Sequence, residues 1–542
     1  MLRFRHILEA AVACVGCFAA ADTIAPPAIT PDGIANAASR TPATLGGGAI
    51  AGGARITIPG VWLGPDTAVR GNEADPPTQL AGVSVRIRQG DAVVNAGLLL
   101  ASAERIDAWL PPALKAGDAQ LTVTYQGRTS EPYALAIVVA SAGIFSSETA
   151  PDALLSAVQR ASAAPGEPVV LWATGLSDVA PDVFVGNQPA GPVGVTAAAC
   201  CRGVERVEFR VPPGAPHGCF VPVLARTADG RTSNAVHVEV HAPGQPCRDE
   251  VDWFRESVEH ADRAGFVVLA HVSLDVHPTP RDGMRFDFDY GVGTFGRQEA
   301  GQRVFPPLPP LHTCTVFTAR MDLRQILGQA RSPAEWTSIP QRTAGTRHLD
   351  AGATVSIARP AGVQVLTRDA RRNEYYDAFL GGKAPLSHQP ARPLYLRKGT
   401  YTVSAPGGSD IGPFSSKLEV PRPIQWTNRA RVRDVKRAAG LALAWKAASA
   451  GDAVLIVAAN ADRFSGGSAM CLCLAPARDG YFRIPPLALS NLPPTLEDGD
   501  PSVSYVLITE IPRRPPARIE ARGLDSAFAA FVSSTGRLVR FH

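Results

Sequence analysis

The chain carries little charge for its size. Asp, Glu, Lys and Arg make up 19% of its 542 residues, against about 25% in an average soluble protein. The formal net charge is only +4, and the basic residues are scattered along the sequence. Nucleic-acid-binding proteins instead present a basic patch or stripe. The sequence therefore gives no support for a nucleic-acid partner, and we expect none.

Motifs of the common enzyme classes are also missing. The sequence has no GxSxG elbow, no HExxH pair and no SxxK motif in a helical context, which mark several classes of hydrolase. The glycine run at 46–48 is not followed by the Lys-Ser/Thr pair of a phosphate-binding loop. We therefore predict no catalytic residue and no cofactor.

Long apolar runs are absent as well. No stretch approaches the roughly 20 residues that a membrane-spanning helix needs. The N-terminus, MLRFRHILEAAVACVGCFAAADT, has Arg3 and Arg5 before a short apolar segment and small residues after it, which predicts a secretory signal over residues 1–21. A lipid anchor at Cys14 or Cys17 is the alternative. We expect a secreted or cell-surface protein with no transmembrane segment after cleavage.

The cysteines that follow the signal indicate disulfides. The sequence has nine cysteines, two of them within the signal, and export permits disulfide formation. Four lie close together, at Cys200, Cys201, Cys219 and Cys247. Because a normal bridge wants Cα atoms about 5.5 Å apart, we expect Cys200 and Cys201 each to pair with Cys219 or Cys247. The odd total leaves at least one thiol free or intermolecular. A zinc site is the rival interpretation, although paired CxxC knuckles are missing.

What the sequence does contain is a duplicated β pattern. Apolar residues reach 45%, and 50 glycines and 48 prolines are spread along the chain as frequent turns. Val236, Val238 and Val240 alternate with polar residues, which is typical of a half-buried strand. Three segments recur in the same order: GARITI (53–58) as GEPVVL (166–171), ERIDAWLP (104–111) as ERVEFRVP (205–212), and GRTSEPYALAIV (127–138) as GRTSNAVHVEV (230–240). The repeat predicts two copies of one small antiparallel sandwich.

These segments carry a family resemblance. ITPDGIANAAS (29–39), APGEPVVLWATGL (164–176) and CCRGVERVEFRVP with GCFVPVLARTADGRTSNAVHVEV resemble a family of secreted, acidobacterial-type proteins with tandem IPT/TIG-like immunoglobulin folds, over about residues 29–248. The resemblance implies a fold and no catalytic residue. The first copy departs from it, with PGVWLG in place of the ATGL segment and no cysteine.

We thus predict a mainly β chain in which tandem immunoglobulin-like (IPT/TIG-type) β-sandwiches precede further β-rich structure. A short amphipathic helix is expected after Cys247 as a connector. The predicted divisions are a signal peptide (1–21), a linker (22–48), a first immunoglobulin-like domain (49–140), a linker (141–163), a second such domain with disulfides (164–243), a connector helix plus β-rich region (244–348) and a C-terminal β-sandwich (349–542).

Two sets of polar residues at period-two spacing are weak metal candidates. One is His237, Glu239 and His241; the other is His271, Asp275 and His277, near Asp287, which alternates with Asp289 on the next predicted strand. Imidazole and carboxylate on one strand face are suitable ligands. A solvated polar face explains both sets more simply, and we favour it.

The function is bounded by these features. We favour an exported binding, adhesion or structural protein whose ligand is an extracellular protein or a carbohydrate. The seven tryptophans are candidate platforms for stacking sugars, although a position in the core explains them more simply. The alternative is a secreted hydrolase or metal-dependent enzyme with its site in the C-terminal half and immunoglobulin-like accessory modules. A third possibility is a surface array joined through the odd cysteine.

Overall fold

The structure is nearly all β, as the sequence predicts. A computed structural model describes residues 25–41, 43, 45, 47–158, 161–176, 179–251, 253, 261–276, 284–297, 307–320, 347–368, 375–385, 390–461, 467–495 and 504–542. The helices with described bounds are short: α1 (Pro486–Leu489) and the 3-10 turns Asp152–Leu154, Arg429–Arg431, Arg437–Ala439 and Ala477–Asp479. Within the described ranges no helix is long and apolar enough to span a bilayer.

The first sandwich packs two antiparallel-rich sheets around one apolar core. Its strands are β1 (Ala28–Ile29), β2 (Ala35–Asn36), β3 (Ile50–Ala51), β4 (Arg55–Val61), β5 (Val69–Arg70), β6 (Val83–Gln89), β7 (Ala92–Asn95), β8 (Gly97–Ala101), β9 (Arg105–Trp109), β10 (Gly117–Tyr125), β11 (Arg128–Thr129) and β12 (Tyr133–Val138). One sheet runs β1-β4-β9-β8-β5 with β2 beside β4, and the other runs β3-β12-β10-β6-β7 with β11 beside β10. Alternating residues such as Val83, Val85 and Ile87 fill the core, as period-two strands require.

The second sandwich repeats this plan. Its strands are β13 (Gly143–Ile144), β14 (Ser162–Ala163), β15 (Pro168–Thr174), β16 (Asp182–Val185), β17 (Gln188–Pro189), β18 (Gly194–Ala197), β19 (Glu205–Arg210), β20 (Gly218–Arg226) and β21 (Val236–Val240). The sheets are β13-β15-β19-β18 and β14-β21-β20-β16-β17. Val238 and Val240 lie in the core, as their alternation predicts.

The repeated segments occupy equivalent places in the two sandwiches. The first pair of matched segments forms β4 and β15, and the second forms β9 and β19, which are hydrogen-bonded to them. The third pair supplies β12 and β21, each antiparallel to the preceding long strand and parallel to a two-residue strand. The tandem immunoglobulin-like architecture is confirmed.

The predicted linkers are wrong in part. Residues 22–48 contribute β1 and β2 to the first sandwich, and 141–163 contribute β13 and β14 to the second. All four are two-residue strands, too short to show a side-chain period.

The C-terminal half forms one continuous sheet of 14 strands with two small sheets beside it. Its strands are β22 (Arg263–Val276), β23 (Met284–Arg297), β24 (Thr313–Arg320), β25 (Arg347–His348), β26 (Thr354–Arg359), β27 (Gly362–Arg368), β28 (Tyr376–Gly382), β29 (Gly399–Ala405), β30 (Phe414–Val420), β31 (Gln425–Trp426), β32 (Asp434–Val435), β33 (Leu441–Lys446), β34 (Ala453–Ala461), β35 (Gly467–Pro476), β36 (Tyr481–Ile484), β37 (Tyr505–Ile511), β38 (Ala517–Arg518), β39 (Ser526–Leu538) and β40 (Arg540–Phe541). The large sheet runs β24-β35-β34-β37-β39-β22-β23-β28-β27-β26-β29-β30, with β25 beside β23 and β38 beside β39.

The predicted boundary at residue 349 is therefore not a domain boundary. β22 lies in the middle of the large sheet, antiparallel to β23 and parallel to β39. A parallel pairing between strands some 260 residues apart leaves no local signal in the sequence. Two apolar cores lie against this sheet, one around Trp426 and Trp445 and one around Phe295 and Tyr401. The expected connector helix falls on residues 252 and 254–260, outside the described residues.

Candidate functional site

The disulfides differ from the expected pairing. Cys219 and Cys247 are bonded to each other, but Cys200 and Cys201 form a bond between neighbours instead of reaching Cys219 or Cys247. The Cys200-Cys201 turn joins β18 to β19 in one sheet, whereas Cys219 lies on β20 in the other. Cys201 is fully buried in a small cluster with Phe145 and other apolar residues. A third disulfide joins Cys314 on β24 to Cys473 on β35.

Among the cysteines that the structure describes, Cys471 has the free thiol, and it is buried. Its Sγ lies 3.6 Å from that of Cys473, and burial raises the pKa of the thiol to about 12. The sulfurs of Cys314, Cys471 and Cys473 are the one group of three potential metal ligands within the described part of the chain. Because two of these sulfurs are bonded to each other, the oxidised protein offers no thiolate set there. A thiol with no exposed surface is poorly placed to join two folded copies.

The polar face of β21 contacts the C-terminal half instead of solvent alone. His237 Nε2 is 3.0 Å from the hydroxyl of Thr315 on β24, and its ring lies between Phe220 and Phe317. His241 Nδ1 is hydrogen-bonded to the carbonyl of Ala242. The imidazole of His237 is therefore used in packing against the C-terminal sheet, whereas that of His241 makes a local contact.

The second set of metal candidates is on one face of the C-terminal sheet but does not converge. Asp275 pairs with Arg429 at 2.9 Å, and Asp287 pairs with Arg285 at 3.0 Å. His271 Nδ1 lies 2.8 Å from Asp289 Oδ1. His277 lies outside the described residues. Asp275 and Asp287 are thus each paired with an arginine and are not aimed at a shared ion.

These residues belong to three polar rows that cross the middle of the large sheet. Paired positions on β39, β22 and β23 share one face because the strands are in register. The first row is Ser533, His271 and Asp289, the second is Thr535, Ser273 and Asp287, and the third is Arg537, Asp275 and Arg285.

Arg429, which follows β31, ties the second and third rows together. Its Nη1 donates to the hydroxyls of Ser273 (3.1 Å) and Thr535 (2.6 Å), and its Nε pairs with Asp275. Desolvation lowers the pKa of the guanidinium, and the charge of Asp275 opposes that effect. Arg429 therefore joins the second and third rows into one hydrogen-bonded network, of which the sequence indicated only the aspartates.

A cavity of about 380 Å³ opens beside the first row. Phe531 and Ser533 lie in its wall, with Lys398 and the carboxylates of Asp452 and Glu510. Burial raises the pKa of both carboxyls. Glu510 accepts hydrogen bonds from the backbone N–H groups of residues 448 and 449 at 2.8–3.0 Å, so its oxygens are engaged in holding that turn.

A second cavity, of about 360 Å³, lies between the second sandwich and residues 38–40, which follow β2 of the first sandwich; we call it the junction cleft. It is lined by the aromatic side chains of Phe145, Trp172, Phe220 and His237 and by polar groups of residues 39–40, 146–149 and 234. Trp172 is half-buried, and its indole N–H is enclosed without a hydrogen-bond partner among the described residues.

The two sandwiches are held together beside this cleft. Arg55 on β4 donates from its backbone N–H to the hydroxyl of Thr174 (2.9 Å) and from Nε to the carbonyl of Arg202 (2.7 Å). The side chain of Arg55 is 4% exposed and pairs with Glu73. The Arg202 guanidinium lies 5.4 Å above the ring of Trp109. Cation–π and buried polar contacts of this kind fix one orientation.

Comparisons with known proteins add no assignment. No protein-family model matches the chain, and no curated protein does. Among solved structures, the titin immunoglobulin tandem A164–A165 is 8% identical and covers 36% of this chain and 90% of its own length at a TM-score of 0.14. The Bacteroides ovatus glucan-utilization protein SGBP-B, solved with a mixed-linkage heptasaccharide, is 10% identical. It covers 77% of this chain and 92% of its own length, at a TM-score of 0.14. The Yersinia pseudotuberculosis adhesin InvE is 16% identical and covers 36% of this chain and 56% of its own length, at a TM-score of 0.13. TM-scores this low carry neither the detailed fold nor the function of those proteins to this chain.

Proposed function

We propose that this chain is an exported, extracellular binding protein whose ligand, a carbohydrate, occupies the junction cleft. The observation that carries the proposal is the composition of that cleft: aromatic side chains stand beside hydroxyl and charged groups where the two hydrogen-bonded sandwiches meet. Ligand sites of about 300–1,000 Å³ with apolar walls and a few polar groups are typical of small-molecule binding.

The groups at the cleft suit a neutral, hydroxyl-rich ligand. Trp172 supplies a flat apolar surface on which a sugar ring can stack. At the rim, Ser147 and Glu148 are exposed, and Arg40 donates from Nη2 to the carbonyl of Glu148 at 3.1 Å, which orients its guanidinium. Hydroxyl groups of a sugar can both donate to Glu148 and accept from Arg40.

The compartment is part of the proposal. Disulfides persist outside the reducing cytosol, and the structure contains three. The predicted signal over residues 1–21 lies outside the described residues, and the IPT/TIG assignment of the two sandwiches likewise stays a proposal. N-terminal sequencing of protein recovered from the culture medium tests the signal, with cleavage after about residue 21 as the expected result.

Binding to a glycan array, followed by calorimetry on the best glycan, tests the ligand class. Trp172→Ala should weaken binding at least tenfold, and Arg40→Ala should weaken it less, because a half-buried aromatic ring offers a stacked sugar more contact than an exposed guanidinium does. Trp62→Ala is the matched control, since Trp62 is 54% exposed on the other sandwich. Absence of any glycan ligand refutes the carbohydrate assignment, and loss of binding in Trp62→Ala with retention in Trp172→Ala refutes the cleft.

A further inference from the structure

The first polar row brings a serine, a histidine and an aspartate together on three adjacent strands. Ser533 on β39 is paired with His271 on β22, which is paired with Asp289 on β23. Neighbouring strands lie about 4.8 Å apart, and side chains at paired positions point to the same face. The imidazole of His271 therefore lies between a hydroxyl and a carboxylate.

Asp289 holds this imidazole in one orientation. Its Oδ1 is 2.8 Å from His271 Nδ1, and the carboxylate has no exposed surface. Its Oδ2 accepts a hydrogen bond from the backbone N–H of Leu396 at 2.7 Å, so the carboxylate is itself fixed. A buried carboxylate on Nδ1 sets the tautomer in which Nε2 can accept a proton.

Ser533 has the free proton that such a base would remove. Its Oγ accepts from the N–H of Ile424 at 3.0 Å, but it donates to none of the residues that the structure describes, and His271 Nε2 likewise has no described partner. Glu510, the other neighbour of Ser533 in this row, already accepts three hydrogen bonds from backbone N–H groups. His271 is the imidazole base paired with Ser533 in this row, and the hydrogen bond between a catalytic serine and histidine is often long or poorly aligned before substrate binds.

The row is reached from the cavity of about 380 Å³, because Ser533 lies in its wall. A β-bulge lies next to Asp289 on β23, between Asp289 and Tyr290, and such bulges often lie beside active sites. The remaining wall is formed largely by Leu418, Val420, Phe531 and prolines, with carboxylates at its margin. Apolar walls with negative groups favour a short, uncharged acyl group over an anionic one.

We propose that Ser533, His271 and Asp289 form a hydrolytic site for esters of short, uncharged acyl groups, an activity that goes beyond ligand binding at the junction cleft and is independent of it. Ser533 Oγ attacks the ester carbonyl carbon while its proton passes to His271 Nε2. The alcohol then leaves with that proton, and the acyl group remains on Ser533. A water molecule attacks the acyl-serine, gives a proton to His271 and releases the carboxylic acid, and the proton returns to Ser533. Asp289 is a positioning residue throughout.

The full chain is tested with p-nitrophenyl butyrate and with a fluorophosphonate probe that labels activated serines. Ser533→Ala should abolish labelling and lower kcat by about a hundredfold or more. Asp289→Asn should lower kcat by a similar factor with little change in KM, because it disturbs the orientation of the imidazole and not the cavity. If Asp289 had a purely structural role, Asp289→Asn would lower the amount of folded protein but would not lower the kcat of the folded fraction.

Ser534→Ala is the matched control, since Ser534 is the next residue on β39 and its side chain bonds to Thr509 on the other face; it should keep both labelling and turnover. Circular dichroism and thermal melting identify variants that fail to fold, and labelling of wild-type protein at Ser533, mapped by mass spectrometry, does not depend on any variant. Absence of labelling in folded wild-type protein, labelling at another serine, or full activity in Ser533→Ala overturns the proposal. None of these outcomes bears on glycan binding, so the two proposals fail separately.

Discussion

Replacing Arg429 by Met should destabilise the C-terminal half more than any exposed substitution. The side chains of Arg429 and Asp275 are 12% and 18% exposed, and their ion pair is 2.9 Å long. The substitution also removes the two hydrogen bonds to Ser273 and Thr535. The carbonyl of residue 429 keeps its bond from Arg537, so the loss is confined to the side chain.

The magnitude follows from the partners left behind. Breaking a buried ion pair costs about 3–5 kcal/mol, because the remaining charge is enclosed without compensation. Asp275 retains some contact with solvent, which places the expected loss at about 3 kcal/mol, near the lower end of that range. Replacing Asp275 by Asn at the same time removes the enclosed charge, so the double variant should recover at least about 1 kcal/mol relative to the sum of the single variants.

Urea unfolding followed by tryptophan fluorescence measures this effect, since Trp426 and Trp445 both lie in one of the two C-terminal cores. Wild type, both single variants and the double variant together form a double-mutant cycle, which gives the coupling free energy between Arg429 and Asp275. A loss below about 1 kcal/mol for Arg429→Met, or additive effects of the two substitutions, would refute the view that the rows are a buried and coupled network.

Three further outcomes are expected. Burial raises the pKa of Glu510 in the folded state, so the folded protein binds the proton more tightly, and the free energy of unfolding should fall as pH rises from the ordinary carboxyl pKa through the raised one. Glu510→Gln should flatten this dependence of the unfolding free energy on pH, measured by unfolding curves across that range. An unchanged dependence in the variant would contradict the raised pKa of Glu510. Gly203 has φ +74°, and an added Cβ would lie 2.3 Å from Trp109, so Gly203→Ala should disturb the contact between sandwiches and lower the melting temperature. Gly127 is exposed and also has a positive φ, but the space around an added Cβ is open, so Gly127→Ala should lower the melting temperature less. Cys471, with a pKa of about 12, should resist iodoacetamide at pH 8 in native protein and react only after denaturation, and mass spectrometry showing native labelling would contradict its burial.

Strand periodicity and the internal repeat were sufficient to predict the two sandwiches. The alternation of Val236, Val238 and Val240 placed β21 with the correct face inward, and the matched segments fell at equivalent positions in the two sheets. Two-residue strands such as β14 carry no period, which is why the predicted linkers missed them.

Long-range pairing could not be predicted in the same way. His271 and the alternating aspartates were visible as a polar strand face, but Ser533 joins them only because β39 runs parallel to β22. Arg429 reaches the same face from a turn between small strands. The bond between Cys200 and Cys201 was missed because sequence spacing does not show that Cys219 lies in the opposite sheet.

Hydrogen–deuterium exchange on the full chain, with and without a saturating glycan selected from the array, tests the central claim most directly. Binding in the junction cleft predicts slower exchange in residues 38–40, 145–149, 170–172 and 234–237, which line it, and unchanged exchange in the C-terminal cavity at 418–421. Protection confined to the C-terminal cavity or to the surface around Trp62, or no protection at all with bound glycan, would contradict the assignment of the cleft as the ligand site.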